Sequence, residues 1–95
     1  MKNVIVEFGC ESRGVEFKDK EIEIEYSNER DFIRKCLIVE FGSEEECISY
    51  WNEFCGFENM EEIVNEIIEI REIDLNLGND LGYISSEEGF FKIKS

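Results

Sequence analysis

The sequence predicts an α+β fold: a small antiparallel sheet covered on one face by two or three helices, in the order β-β-α-α-α-β-β. Three observations carry that prediction. Glu21-Ile22-Glu23-Ile24-Glu25-Tyr26 alternates acidic and apolar residues, as a strand with one face on a core and the other in water requires. Residues 58–71 separate on a helical wheel into an apolar seam and an acidic ridge. Residues 83–85 and 90–94 read as a C-terminal hairpin across the Ser/Glu/Gly turn at 86–89. No repeat, Gly/Ser linker or Pro-rich stretch interrupts the 95 residues, so one domain spanning 1–95 is expected.

Taken in order, residues 4–8 are β-branched and aromatic and read as a first strand, exposed along one edge where a homodimer would form. A turn-rich segment follows at 9–14. Residues 15–17 then pair with 21–26 across Lys18-Asp19-Lys20. Asn28 suits an N-cap with Asp31 in the first turn, and Phe32, Ile33, Cys36, Leu37 and Phe41 recur at helical spacing up to Gly42. Residues 36–41 taken alone fit a strand as well.

Ser43-Glu44-Glu45-Glu46 is a capping box, in which the hydroxyl and the carboxylate each satisfy an orphan N–H of a new helix. That helix runs to about Cys55, with Cys47, Ile48, Trp51, Phe54 and Cys55 on one face, Glu45, Glu46 and Glu53 on the other, and Gly56 as the stop. Trp51 is placed in the core. In the next helix Met60, Ile63, Val64, Ile67 and Ile70 cluster, and Glu58, Glu61, Glu62, Glu66 and Glu69 oppose them.

Composition excludes several chemistries. There is no His, hence no imidazole base, no His metal ligand and no Ser-His-Asp or Cys-His pair. With no nucleophile–base pair, an enzyme is not expected, and no cofactor is expected either. Cys10, Cys36, Cys47 and Cys55 match no metal-knuckle spacing, and without a secretion signal they are expected as reduced thiols serving as small core groups. An Asp/Asn/Gly stretch at 74–80 spaces its oxygens as a calcium loop does, but the glycine comes one position early and Ser85 stands where a bidentate Glu is needed. An ordinary turn is expected there. Glu40, flanked by Val39 and Phe41, is the one acid in an apolar context, at a helix edge. No apolar run approaches membrane-spanning length and the start of the chain does not read as a signal peptide, so a cytoplasmic location is expected, in a bacterial host cell on the AT-rich composition.

The net charge of −14 is regional: residues 1–35 hold nine acids against seven bases, while residues 36–91 hold fifteen acids against the single base Arg71. Direct binding to nucleic acid is disfavoured by that sign; binding to a protein that itself holds nucleic acid is favoured. Glu58, Glu62, Glu66 and Glu69 follow i, i+4 and i+3 steps, at which like charges lie about 5–6 Å apart and weaken a helix by a few tenths of a kcal/mol per pair. No Lys is interleaved to relieve them. Two readings stand, a solvated face and a row of carboxylates standing in for DNA phosphates; the confinement of the charge to one stretch argues for the second.

Phe41-Gly42, Glu44-Glu45-Glu46, Tyr50-Trp51, Phe57 and the run from Met60 to Ile67 resemble the ArdA-type antirestriction proteins, acidic α/β modules shaped like bent B-form DNA, over residues 21–70. The chain is much shorter than those multi-module proteins. The resemblance implies a class: a phage or mobile-element inhibitor of a host nuclease such as a restriction or CRISPR effector. The expected function is therefore a non-enzymatic inhibitor whose acidic face blocks the basic groove of a nucleic-acid-binding enzyme. Glu45, Glu46, Glu53, Glu58, Glu62, Glu66 and Glu69 supply the charge, and Tyr50, Phe57 and Tyr83 are anchor candidates. The alternative is an immunity protein that neutralises a cationic nuclease toxin.

Overall fold

The computed structural model describes residues 1–13, 15–70 and 82–94, with Glu16 described by its backbone only. Among these residues it is an α+β fold of seven elements: strands β1 (Lys2–Ser12) and β2 (Val15–Tyr26), helices α1 (Glu29–Phe41), α2 (Glu44–Cys55) and α3 (Met60–Glu69), and strands β3 (Gly82–Ile84) and β4 (Gly89–Ile93). The order β-β-α-α-α-β-β is the one expected. Residues 74–80, where an ordinary turn is expected, lie outside the described residues. Among those described, no helix is long and apolar enough to cross a membrane.

The sheet is antiparallel throughout, in the order β2-β1-β4-β3. β1 is therefore interior, and the expected free edge at residues 4–8 does not exist: Val6 pairs with Ile22 on one side and Ile93 on the other. The edges are β2 and β3. Nor do residues 15–17 fold back on 21–26. They continue the same strand and pair with Cys10, Glu11 and Ser12, so the segment read as turn-rich is strand as far as Ser12, and the chain reverses at Arg13, whose φ is 53°. The register slips between Phe8 and Gly9, a β-bulge in the β1–β2 ladder. Gly9 has no room for a side chain there, because a Cβ would overlap the Phe17 carbonyl oxygen and press on the Phe90 ring.

Local chemistry sets the helix ends. Asn28, Ser43 and Asn59 each accept from the backbone N–H three residues on, and Gly42 and Gly56 close α1 and α2 in the left-handed region. Only the serine half of the expected capping box forms in α2: Glu46 N–H donates to Ser43 Oγ at 3.1 Å.

One apolar core lies between the sheet and the helices. Val6, Phe8, Ile24 and Phe91 face it from the strands, and Phe32, Ile33, Cys36, Leu37, Cys47, Trp51, Met60, Ile63, Val64 and Ile67 from the helices. Phe91 stacks on Tyr83 at 5.2 Å and meets Phe32 edge-on at 6.0 Å, locking α1 to the sheet. The other face of the sheet is charged. Glu7 and Glu21 lie directly opposite each other, and Lys18 and Lys94 bond to Glu21 while Lys92 reaches Glu7 at 4.0 Å.

Candidate interaction surface

Residues 44–69 contain nine glutamates and no Lys or Arg. Two of the nine are neutralised by α1. Arg34 holds Glu44 at 3.1 Å, and Arg30 holds Glu61 and Asn65, each at 2.6 Å, so the first turns of α2 and α3 are tied to the same helix. The remaining seven are Glu45, Glu46, Glu53, Glu58, Glu62, Glu66 and Glu69, the acidic candidates read from the sequence. None of them has an ion-pair partner among the described residues. All are exposed except Glu66, which is half-buried.

α3 is two-sided. Glu61 and Asn65 turn toward Arg30, while Glu62, Glu66 and Glu69, at i, i+4 and i+7, share a stripe outside that contact. Glu58 does not belong to the helix. It precedes the cap Asn59, and its N–H donates to Glu62 Oε1 at 3.3 Å, so the Glu58–Glu62 step is an N-terminal capping arrangement instead of one turn of a ridge. Glu62 is thereby accounted for structurally: its carboxylate also accepts from the Asn59 side chain, at a helix N-terminus where negative charge is favoured.

The same physics divides the other five. Glu45 and Glu46 lie in the first turn of α2, where the helix dipole welcomes them. Glu53 and Glu69 lie in last turns and Glu66 one turn from the end of α3. Neither helix has a basic residue in its last turn. There a carboxylate weakens the helix by about 0.3–1 kcal/mol, and no ion pair among the described residues offsets it.

The aromatic candidates separate sharply. Tyr83 is buried under Phe32 and Phe91 and presents no free face. Phe57 is half-buried against Trp51, with its carbonyl accepting from Asn52 Nδ2 at 2.9 Å. Tyr50 is half-buried, and its hydroxyl accepts from Glu87 N–H at 2.8 Å. Phe54, which the wheel placed on the buried face of α2, is 60% exposed. The last turn of α2 runs past the packing that covers Cys47 and Trp51, so its inward positions, Phe54 and Cys55, meet solvent.

Of the cysteines, Cys36 and Cys47 are buried and Cys10 and Cys55 exposed, so the core role holds for two of the four. Burial pushes the Cys47 thiol up to about 12 and the Cys36 thiol higher still. Glu40, half-buried in the last turn of α1, has its carboxyl raised by the same desolvation, with nearby Lys20 opposing.

No family model matches this chain, and no curated protein or solved structure is significantly similar to it.

Proposed function

We propose that the chain is a non-enzymatic inhibitor that presents the acidic surface of α2 and α3 to the basic groove of a nucleic-acid-binding enzyme, of the antirestriction or anti-CRISPR kind, in the cytoplasm of a bacterial host. One observation supports it above the rest. The fold supplies arginines to two of nine clustered glutamates and leaves seven unpaired among the described residues, three of them near helix C-termini where they oppose the dipole. Unpaired carboxylates on helices present fixed negative charge, the sign that a phosphate-binding groove of Lys and Arg attracts. Attraction between opposite potentials would speed the encounter and make it salt-sensitive, while occupation of the groove excludes DNA.

The test is affinity capture of the tagged protein from a bacterial lysate at low salt, with and without excess short duplex DNA. A retained nuclease or restriction or CRISPR effector that the duplex displaces supports the reading. Partners indifferent to DNA, or no partner, reduce the acidic face to a solvated surface.

A further inference from the structure

Beside the acidic surface, the last two turns of α2 and the β3–β4 turn enclose an open groove of about 350 Å³. Trp51, Tyr50 and Phe54 form one side, with the Phe54 ring 4.7 Å from Tyr50 and tilted by 44°; Ile84 and Glu87 line it from the turn. The indole N–H and the phenol of the wall already have partners, and Cys55 adds an exposed thiol. Trp51 Nε1–H donates to Ser85 O at 3.1 Å, and Tyr50 Oη accepts from Glu87 N–H. What the groove offers an occupant is therefore chiefly aromatic surface with Glu87 in its lining, while Glu53, next to Phe54 in sequence, lies outside that lining. Both acids are exposed and neither has an ion-pair partner among the described residues.

Charge complementarity selects the occupant. An anion is repelled, and an aliphatic side chain would strip water from Glu87 with nothing in return. A lysine ammonium is compact and strongly hydrated, so lying on a ring costs it solvation. A guanidinium is planar and weakly hydrated, stacks on an aromatic face, and still directs its N–H groups outward in its own plane, free to meet a carboxylate. The volume lies at the small end of ligand pockets, fitted to one side chain and not to a peptide segment. We propose that this groove is an arginine-binding site: a partner arginine lies on Phe54 and Tyr50 and is held by Glu87. The inference rests on the proposed basic partner, and it adds that arginine, not lysine, anchors that partner beside the acidic surface.

Fluorescein-labelled nona-arginine and nona-lysine peptides, titrated against the protein at matched ionic strength and followed by anisotropy, separate the two ideas. Both peptides should bind with affinity that falls as salt rises, and the arginine peptide should bind about fivefold more tightly. Phe54→Ala and Glu87→Gln should each reduce that preference toward unity, Phe54→Ala with lysine-peptide binding unchanged and Glu87→Gln with only the small loss that one fewer carboxylate brings. Both positions are exposed, so an unaltered thermal midpoint serves as the folding control. Equal binding of the two peptides, or a preference that survives Phe54→Ala, overturns the arginine site and leaves the acidic surface standing. Failure of both peptides to bind overturns both.

Discussion

Arg30 on α1 donates through Nη2 to Glu61 Oε2 and through Nη1 to Asn65 Oδ1, both at 2.6 Å, on the side of α3 that the buried seam of Met60, Ile63, Val64 and Ile67 turns toward α1. Its consequence lies on the opposite side. With Glu61 paired to that arginine, Glu62, Glu66 and Glu69 are left together on the stripe outside the contact. Which glutamates of this surface are paired follows from the tertiary placement of Arg30 and Arg34 on α1.

That arrangement predicts opposite effects on stability and binding from one set of substitutions. Glu53→Lys, Glu66→Lys and Glu69→Lys combined replace carboxylates near helix C-termini with the charge the dipole favours, so the urea midpoint should rise, by about 1 kcal/mol in total at low salt. Capture of a DNA-displaceable partner should be lost in the same protein. Retained capture would remove the carboxylates from the mechanism.

Arg30→Gln and Arg34→Gln should each change stability by less than about 1 kcal/mol, because both ion pairs are largely exposed. Each frees one more glutamate. Binding of a cationic peptide should then strengthen and show a steeper salt dependence, measured by anisotropy across a salt series.

Thiol reactivity should divide two and two. Cys10 and Cys55 are open to a disulfide reagent at pH 8, whereas Cys36 and Cys47 are buried and hold their protons far above that pH. Two equivalents should react promptly under native conditions and two more only in denaturant.

Glu40 predicts a pH dependence with a definite sign. Burial raises its carboxyl above the ordinary 4.5, so the folded state holds that proton more tightly than the unfolded chain. Its contribution is favourable below about pH 4.5 and is lost as pH rises through the folded value. Glu40→Gln should therefore raise the denaturation midpoint at pH 7 and leave it nearly unchanged at pH 4. Glu21 and Asp31 act in the opposite sense. Lys18 lowers the first and the Ser27 N–H the second, so the stability they add is present at neutral pH and is lost as pH falls through their folded values.

Gly9→Ala should destabilise by about 1–3 kcal/mol in urea titrations, since the atom in its way is the Phe17 backbone oxygen, which moves only if the β-bulge moves.

The three helices were legible because their signals are local. Asn28 and Ser43 with Gly42 and Gly56 bound α1 and α2 to the residue, and the apolar seam of α3 is buried as its wheel placed it. The strands were legible only where alternation is clean. Gly9 resembles a turn residue in composition, yet the ladder to β2 and β4 holds it in a strand, because cross-strand hydrogen bonds come from residues distant in the chain. Phe54 misled for a related reason: a wheel assigns a direction but does not say whether anything lies in that direction.

The sequence by itself determined the element types, the helix caps, the net charge and its confinement to one stretch, since each depends on neighbours within a few residues or on composition alone. Tertiary structure decided that β1 is central, that among the described residues two of the nine glutamates meet arginines and seven do not, and that Phe54 opens onto a groove. Those outcomes depend on which surfaces meet when distant segments pack together, and no local pattern encodes that.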